Sequence, residues 1–242
     1  MTKPCTVVTG GSVGIGQAIC ENLLANGHQV INLSRRAAKI EHGDLHNIEL
    51  DLSVSDDVAV CADDIAGRFN VSGFVHNAGL IRPGLLGTVE LADLAYLTQV
   101  HLGSAITLTQ AFLDGMKAAQ FGRIVLISSR AALGLQTRTS YSATKSGMIA
   151  MARTWALELG EFGVTVNVVA PGPIEATEMF DAVVEDGSAK KQTLANSIPV
   201  KRIGRPEDVA QAVAFFIQPQ SSFITGQTLM VCGGTSLGSI AL

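Results

Sequence analysis

The amino-acid sequence predicts an α/β fold with one doubly wound parallel sheet covered by helices on both faces. Short runs that are apolar throughout, typical of strands buried on both sides, alternate with longer segments whose apolar residues recur at helical spacing. Seven such runs occur along the 242 residues. Because no repeat, low-complexity segment or linker interrupts this alternation, we expect residues 1–242 to form a single domain.

The predicted strands and helices alternate with one irregularity. The strands are residues 5–9, 29–33, 47–50, 73–76, 123–127, 164–169 and 228–231. The helices are residues 15–25, 55–69, 91–119, 142–161 and 206–217. Only residues 35–46 separate the second strand from the third, and a parallel crossover that contains a helix needs at least about 10–12 residues. We therefore expect a short second crossover made of a loop or a single turn.

The composition argues against several classes of protein. A net charge of −4 without a basic cluster argues against binding to nucleic acid or to an anionic membrane. The longest apolar stretches, such as residues 212–217, are far shorter than the roughly 20 residues of a membrane helix. The N-terminus lacks the layout of a signal peptide. Cys5, Cys20, Cys61 and Cys232 have no metal-ligand or CxxC spacing, so we expect reduced thiols, no metal site and a cytoplasmic location.

A glycine-rich loop, TGGSVGIG over residues 9–16, joins the first strand to the first helix. Glycines at such a place let the backbone turn sharply and approach a pyrophosphate closely. The N-terminus of the following helix adds backbone N–H groups and the positive end of its dipole. A tight turn without a ligand is the alternative interpretation. The strand before the loop and the helix after it favour nucleotide binding in a Rossmann-type fold.

A tyrosine and a lysine four residues apart form the candidate reacting pair. Tyr141 and Lys145 share one face of a predicted helix. A neighbouring ammonium group lowers the pKa of a tyrosine from about 10. Such a tyrosine can protonate a carbonyl oxygen as hydride arrives, or deprotonate an alcohol in reverse. A surface Tyr–Lys pair has the same spacing, but the Ser-Ser at residues 128–129, which follows the fifth strand, and the glycine-rich loop favour catalysis.

The TGxxxGxG spacing of the glycine-rich loop resembles the short-chain dehydrogenase/reductase family, and in particular its members of the 3-oxoacyl-[acyl-carrier-protein] reductase type. The resemblance extends over nearly the whole chain, through NAG at residues 77–79, YxxxK at residues 141–145 and PGxI at residues 171–174. It implies hydride transfer between a nicotinamide cofactor and a small carbonyl or alcohol. It also implies a homotetramer built through the long middle helices and the C-terminal strand.

The resemblance assigns roles to the candidate reacting groups. Ser129 positions the carbonyl, Tyr141 is the acid/base, and Lys145 tunes the tyrosine and binds the nicotinamide ribose. His101 stands where the family has an asparagine that anchors a water chain to the lysine. Histidine can also donate, accept and shuttle protons, with a pKa of about 6.5. Two interpretations of His101 stay open, a catalytic proton relay and a residue that only caps a local helix distortion.

The end of the second strand favours NADP(H) over NAD(H). An acidic residue there usually holds the ribose 2′-hydroxyl of NAD, whereas an arginine meets the 2′-phosphate of NADP. This strand is followed by Ser34, Arg35 and Arg36, and guanidinium groups match phosphate oxygens. Solvated loop charges are the alternative interpretation. Val13 weakens the prediction, since relatives that prefer NADP often carry a basic residue at that position.

The remaining cofactor contacts come from the resemblance. Asp51 is expected to contact the adenine, and Thr177 the carboxamide, although Thr177 falls one residue later than the usual spacing. His76 replaces the first asparagine of the family's NNAG segment, and we assign it no chemistry. The predicted cofactor-binding residues are Gly10, Ser12, Val13, Gly14, Ile15, Gly16, Ser34, Arg35, Arg36, Asp51, Leu52, Asn77, Ala78, Gly79, Tyr141, Lys145, Pro171, Gly172, Ile174 and Thr177.

Residues 177–197, between the sixth strand and the last helix, are expected to form a substrate lid. They mix charges with apolar residues, which favours a mostly apolar substrate. These apolar residues are Met179, Phe180, Val183, Val184 and Leu194.

Three functions compete. A reductase or dehydrogenase is favoured by the intact Ser129, Tyr141 and Lys145. A nicotinamide-binding sensor without catalysis is supported by His101 and by the shifted Thr177. A lyase or epimerase is disfavoured, because such relatives usually carry an additional substrate domain.

Overall fold

The computed structural model describes residues 3–181 and 187–237. Seven strands form one sheet in the order β3-β2-β1-β4-β5-β6-β7, and every pairing between neighbours is parallel. The strands are β1 (Cys5–Thr9), β2 (Gln29–Ser34), β3 (Leu45–Glu49), β4 (Val71–His76), β5 (Gly122–Ile127), β6 (Val164–Pro171) and β7 (Thr228–Val231). The predicted doubly wound α/β fold is therefore confirmed.

Eight α-helices surround the sheet in the described part of the chain. They are α1 (Gly14–Ala25), α2 (Ser55–Arg68), α3 (Leu91–Thr98), α4 (Ser104–Ala118), α5 (Thr139–Leu159), α6 (Glu178–Asp181), α7 (Ala189–Ser197) and α8 (Pro206–Ile217). Short 3-10 helices occur at Leu86–Thr88, Arg130–Leu133, Gly160–Phe162 and Pro219–Ser221. None of the helices in these described ranges is both long and apolar enough to cross a membrane.

The core lies in two layers, one on each face of the sheet. Phe74 of β4 packs in one layer with Leu108 of α4 and Met148 of α5. On the other face, Ile19 of α1 and Val213 of α8 pack against the remaining strand residues. Burying each such side chain stabilises the fold by about 1.5–3 kcal/mol. Strands that are buried on both faces explain why the apolar runs in the sequence are continuous rather than alternating.

The second crossover is short, as predicted. Residues 35–44 contain bends and a turn but no helix, and they lead directly into β3. This strand lies at one edge of the sheet, and none of its five residues is buried.

The predicted helix over residues 91–119 is interrupted. A π-helical turn, Gln99–Gly103, joins α3 to α4 and carries His101, whose ring is fully buried. A π turn takes up one extra residue, and hydrophobic periodicity over three turns does not reveal it. The start of α5 also differs from the prediction, because this helix begins at Thr139 rather than at residue 142 and so places Tyr141 in its first turn.

The direction of the sheet's winding changes between β1 and β4. From β1 the chain runs outward through β2 and β3, and from β4 it runs outward the other way through β5, β6 and β7. Ligands of open α/β sheets bind in the crevice beyond the carboxyl ends of the strands at such a switch point. Thr9 and His76, the last residues of β1 and β4, therefore mark where the site is to be sought.

Candidate active site

The glycine-rich loop between β1 and α1 has no room for side chains at two positions. A Cβ on Gly10 would lie 2.9 Å from the Ala78 Cα, and a Cβ on Gly16 would lie 1.9 Å from the Gly10 carbonyl oxygen. Gly10 and Gly14 have φ of +68° and +54°, a region that favours glycine. The start of α1 has no side-chain cap and no acidic residue in its first turn. The loop therefore leaves backbone N–H groups and a bare helix N-terminus at the crevice, an arrangement that fits a pyrophosphate.

Buried polar side chains hold this loop. The Thr9 hydroxyl accepts hydrogen bonds from the backbone N–H groups of Asn77 and Ala78, each at 3.0 Å. The Asn77 side-chain amide donates to the Gly10 carbonyl at 3.0 Å. Asn32, fully buried in β2, accepts from the Gly11 N–H at 2.9 Å. Asn32 was not among the predicted site residues, although a polar residue in the middle of an apolar run is a signal for such a contact.

Two adjoining cavities, of about 230 and 240 Å³, open along the carboxyl ends of the strands. Ile15, Asn77, Gly79 and Thr177 line both of them, so they form one continuous cleft. Each of the predicted cofactor-binding residues lines one cavity or the other, and Ser129 lines the second. The sequence motifs therefore converge on one cleft.

The first cavity ends at the charged residues that follow β2. Arg35 and Arg36 both line it, and Arg36 forms an ion pair of 2.7 Å with Glu178 of α6. Hydrogen bonds from the backbone N–H and hydroxyl of Ser53 lower the pKa of Asp51, and the charge of Arg35 adds to this effect. Glu178 was not among the predicted site residues, because 142 residues separate it from Arg36 and no local pattern connects them.

The second cavity brings together the candidate reacting groups. Tyr141 and Lys145 lie one turn apart on α5, and the Lys145 Nζ is 5.7 Å from the centre of the tyrosine ring. The Lys145 Nζ donates to the Ile127 carbonyl oxygen at 2.8 Å. Burial lowers the pKa of Lys145 to about 7, since the charged amine loses its hydration. This amine therefore gains or loses its proton close to neutral pH.

The pKa of Tyr141 differs from the expectation. Burial raises it, and the partial compensation comes from hydrogen bonding with the Ser129 hydroxyl and from the Arg138 guanidinium. From the sequence we expected the Lys145 ammonium group to lower the pKa of Tyr141. The structure differs because the phenol is itself buried and because the lysine amine, which is buried too, is only partly charged at neutral pH.

The two serines that follow β5 have different surroundings. The Ser128 hydroxyl donates to the Lys145 carbonyl oxygen at 2.7 Å and thus fastens α5 to the sheet. The Ser129 hydroxyl accepts from the Ala131 N–H at 3.1 Å and keeps its own proton for a group in the cavity. This geometry agrees with the choice of Ser129 rather than Ser128 as the serine that faces a substrate.

His101, predicted as a catalytic residue, lines neither cavity. Its Nε2 accepts from the Leu80 N–H at 3.2 Å, so Nδ1 carries the proton and donates to the Thr144 hydroxyl at 2.8 Å. Burial and the charge of Lys145 lower the pKa of His101 far below its usual range. Both ring nitrogens are engaged and the ring is held neutral, which argues against the proton relay and favours the structural interpretation at a helix distortion.

Gly79 separates His101 from the cleft. A Cβ on Gly79 would lie 3.2 Å from both the His101 Nε2 and the Lys145 Nζ. Both ring nitrogens of His76 are also engaged, since its Nδ1 pairs with the Thr9 hydroxyl and its Nε2 with the Val100 carbonyl oxygen. Burial lowers the pKa of His76 to about 3, so this ring is neutral at neutral pH.

Thr177 reaches both cavities despite its shifted spacing. Ala176, the additional residue before it, adopts a left-handed φ of +54°. The Thr177 hydroxyl donates to the Ile174 carbonyl at 3.0 Å and accepts from the Phe180 N–H at 3.2 Å. Its proton is therefore already used at the start of α6, and only its remaining acceptor capacity is free for an amide N–H group in the cleft.

Comparison with known proteins identifies the family. Residues 10–236 match a family model described as enoyl-(acyl carrier protein) reductase. The 3-oxoacyl-[acyl-carrier-protein] reductase FabG of Salmonella typhimurium is 35% identical over 236 residues, which cover 94% of this chain and 95% of that protein. The chain belongs to the short-chain dehydrogenase/reductase family.

Other short-chain dehydrogenases/reductases extend the likeness. The (2S)-[(R)-hydroxy(phenyl)methyl]succinyl-CoA dehydrogenase subunit BbsD of Thauera aromatica is 41% identical over 174 residues, which cover 72% of this chain and 68% of that protein. Ligand-free aldohexose dehydrogenase of Thermoplasma acidophilum has a TM-score of 0.90 at 29% identity, covering 99% of this chain and 97% of that chain. ElxO with NADP bound has a TM-score of 0.90 at 26% identity, covering 98% and 100%. This chain is thus an oxidoreductase of the family.

Proposed function

We propose that this chain transfers hydride between NADP(H) and a small, mostly apolar ketone or secondary alcohol, with Tyr141 as the acid/base. The observation that carries the proposal is that Ser129, Tyr141 and Lys145 line one cavity that is continuous with the glycine-rich loop. A reacting carbon in this cavity lies beside a proton donor and within the same cleft as the cofactor-binding residues.

The lining of the first cavity suits the pyrophosphate and the 2′-phosphate of NADP(H). A Cβ on Gly10 or Gly16 would collide with neighbouring backbone, so these glycines allow the tight fold of the loop, and the bare start of α1 suits a pyrophosphate. Arg35 and Arg36, at the end of β2, would hold a 2′-phosphate. ElxO, which shares this fold, is known with NADP and with NADPH bound. When bound, NADPH supplies the hydride that a carbonyl carbon accepts.

The protein's part in the reaction is to move one proton. In reduction, the Tyr141 phenol gives its proton to the carbonyl oxygen, and the C=O group becomes CH–OH. The Ser129 hydroxyl donates a hydrogen bond to the same oxygen and fixes its position. The Lys145 amine, with a pKa of about 7, can then return a proton toward the phenol at neutral pH. Oxidation of the alcohol runs through the same steps in reverse.

Residues 177–197 form the proposed substrate lid. Phe180 of α6 is buried and lines the second cavity, and it packs in a small cluster with Ile198 and Ile203. Leu194 packs against this cluster, whereas Val183 and Val184 lie outside the described residues. The apolar walls support a mostly apolar substrate, and relatives such as FabG, a 3-oxoacyl-[acyl-carrier-protein] reductase by name, support a 3-oxoacyl compound as one candidate.

We further propose that the enzyme is a single-domain protein that assembles as a cytoplasmic homotetramer. Leu157 on α5, Phe223 before β7 and Leu229 on β7 are exposed apolar side chains on the elements through which such a tetramer would form. The four cysteines are free thiols, which agrees with a reducing compartment. Light scattering after size-exclusion chromatography measures the mass of the assembly, and a monomer would contradict the tetramer.

The decisive experiment measures consumption of NADPH, and separately of NADH, with a panel of small ketones, quinones and 3-oxoacyl esters. The Tyr141→Phe variant serves as the parallel sample, because it lacks only the phenol hydroxyl. We expect turnover that prefers NADPH and that falls by about 10²- to 10⁴-fold in the variant. NADPH binding, measured by its fluorescence, should remain close to that of the parent protein.

Two results would contradict the proposal. Activity of Tyr141→Phe within a few-fold of the parent would show that another group moves the proton. If the parent protein turns over no substrate of the panel but still binds NADPH, the alternative function of a nicotinamide-binding sensor would be favoured.

A further inference from the structure

Arg138 is an unexplained cation in the second cavity. Among the described residues that line this cavity, Arg138 and Lys145 are the only charged ones, so no acidic residue balances Arg138 there. Arg138 immediately precedes α5 and is three residues before Tyr141, which places both side chains within one turn. Its charge acts on the phenol, since the Arg138 guanidinium lowers the pKa of Tyr141 against the effect of burial.

The Arg138 guanidinium has no ionic partner within residues 3–181 and 187–237. Its Nη1 donates only to the carbonyl oxygen and hydroxyl of the neighbouring Thr137. Neither Nε nor Nη2 has a hydrogen-bond acceptor in this part of the chain. A guanidinium carries five N–H donors in a planar fork. The side of the fork that Nε and Nη2 form is therefore available for a planar anion.

Local structure does not explain why an arginine stands there. Arg138 is the residue before the first turn of a 21-residue helix, and a cation at that end opposes the helix dipole. The backbone around it is held firmly, because the Gly84 N–H donates to the Thr137 carbonyl at 3.0 Å and the Ser142 N–H donates to the Arg138 carbonyl at 2.7 Å. Thr137 adopts a left-handed φ of +65°, which is strained for a β-branched residue.

We propose that Arg138 binds a carboxylate carried by the substrate itself, so that this oxidoreductase acts on an oxo acid or the corresponding hydroxy acid. The inference rests on the proposed function of the cleft. The two oxygens of a carboxylate fit the guanidinium fork, whereas the apolar walls of the cavity take the rest of the substrate. The carboxylate stays unchanged while the ketone gains a hydride at carbon and the Tyr141 proton at oxygen.

The position of Arg138 selects a carboxylate close to the reacting carbon. Because the guanidinium and the phenol belong to the same turn, the anion must lie only a few bonds from the carbonyl that the phenol protonates. The phosphate of a coenzyme A or carrier-protein thioester lies at the far end of a long flexible arm and does not meet this condition. The structure therefore points to a substrate with its own acid group close to the ketone.

The test compares acids with their neutral esters. Values of kcat/KM are measured for 2-, 3- and 4-oxo acids and for their methyl esters, with the parent protein, Arg138→Gln, Arg138→Lys and Arg153→Gln. Arg153 is an exposed arginine on the same helix, so its variant is the matched control for loss of one charge. For the preferred acid we expect a roughly 10- to 100-fold loss in Arg138→Gln, because a charge-assisted hydrogen-bond pair is removed.

The ester and the other variants give the discriminating results. Both substrates share any effect of Arg138→Gln on the phenol, but only the acid loses the ion pair, so the loss for the acid should exceed the loss for the ester by roughly tenfold or more. Arg138→Lys should keep part of the preference for the acid. An equal loss for acid and ester, with a shifted pH profile, would show that Arg138 only tunes the phenol and would overturn the proposal. A parent protein that reduces the esters as well as the acids would overturn it too.

A binding measurement separates this inference from the proposed function. Calorimetric titration of the oxo acid into Tyr141→Phe in the presence of NADPH reports binding without turnover. Binding of the acid that is lost in Tyr141→Phe/Arg138→Gln supports the carboxylate site even if the parent turns over nothing. Turnover of neutral ketones without binding of any acid would leave the proposed function standing and would refute the role of Arg138.

Discussion

The imidazole Nε2 of His101 accepts a hydrogen bond from the backbone N–H of Leu80 at 3.2 Å. This bond ties the π-helical turn to the loop after β4, and the bond from His101 Nδ1 to the Thr144 hydroxyl ties it to α5. Thr144 in turn donates to carbonyl oxygens in the first turn of α5 at Ser140 and Tyr141. One neutral ring thus connects the three segments that surround the reacting groups.

We predict that His101→Phe lowers the free energy of unfolding by about 1–3 kcal/mol. The variant keeps a ring of similar size but leaves the Leu80 N–H and the Thr144 hydroxyl without this partner. Chemical denaturation measures the loss. Thr144→Val is the companion variant: it keeps the His101–Leu80 bond but removes the contact at Nδ1 together with the Thr144 bonds to the Ser140 and Tyr141 carbonyls.

The same variant tests the relay. Since His101 is neutral in the folded protein, the pH profile of kcat between pH 5 and 8 should keep its shape in His101→Phe. If an ionisation seen in the parent profile is absent from the profile of His101→Phe, the proton-relay interpretation of His101 would be supported.

We predict that the stability of the parent protein, relative to that of Lys145→Met, rises as the pH increases from 7 to 9. Burial lowers the folded-state pKa of Lys145 from 10.5 to about 7, so between these values the unfolded chain holds a proton that the folded chain does not. Stability increases with pH wherever the unfolded state binds more protons. The free energy of unfolding of the parent minus that of Lys145→Met should therefore grow by about 1–2 kcal/mol over this interval.

The measurement is urea unfolding of both proteins without cofactor at pH 7, 8 and 9. The range avoids the buried histidines, since His76 has a lowered folded-state pKa of about 3 and an unfolded histidine titrates near 6.5, both below the range. A difference that stays constant or falls with pH would mean that the amine remains charged in the folded protein.

The sequence predicted the parts of the site that follow strand ends. Short motifs after β1, β4, β5 and β6 meet because the carboxyl ends of parallel strands share one edge, and all predicted cofactor-binding residues line the cleft as a result. The features of the site that could not be predicted depend on contacts between segments that are distant in the sequence. The ion pair between Arg36 and Glu178 is such a contact, and the buried environment that raises the pKa of Tyr141 is another.

Local geometry also escaped prediction where it departs from regular helices. The π turn at Gln99–Gly103 carries His101, and the ring nitrogens pair with the Leu80 N–H and the Thr144 hydroxyl, which neither helical periodicity nor the resemblance reveals. Arg138 was not predicted because it lies outside the motifs that mark the site, and only the three-dimensional structure shows that it lines the second cavity with Tyr141.

We predict that Arg36→Ala weakens binding of NADPH by roughly 10- to 100-fold and binding of NADH by less than about threefold. Arg36 lines the first cavity, and a charge-assisted contact to the 2′-phosphate exists only with NADPH. Fluorescence titration of both cofactors measures the two affinities. Equal weakening would show that this side chain does not distinguish the two cofactors.

Glu178→Gln is the companion variant to Arg36→Ala. The ion pair of Glu178 with Arg36 joins two side chains that are each more than half exposed, so its net stabilisation is about 0–1 kcal/mol. Removing the carboxylate frees the guanidinium for the phosphate, and NADPH affinity should rise by up to about fivefold while NADH affinity stays unchanged. A fall in NADPH affinity would mean that the ion pair orients Arg36 for the phosphate.

We predict that Gly79→Ala lowers kcat by more than about tenfold. Its Cβ would lie 3.2 Å from the His101 Nε2 and from the Lys145 Nζ, and neither group moves freely because both are buried and hydrogen-bonded. The lysine amine would shift by some tenths of an ångström, and overpacking of this kind costs about 1–3 kcal/mol. Gly67→Ala is the control, since a Cβ on Gly67 of α2 meets nothing within 4 Å and alanine favours the helix. Full activity of Gly79→Ala would show that the lysine amine has more freedom than its hydrogen bond to Ile127 indicates.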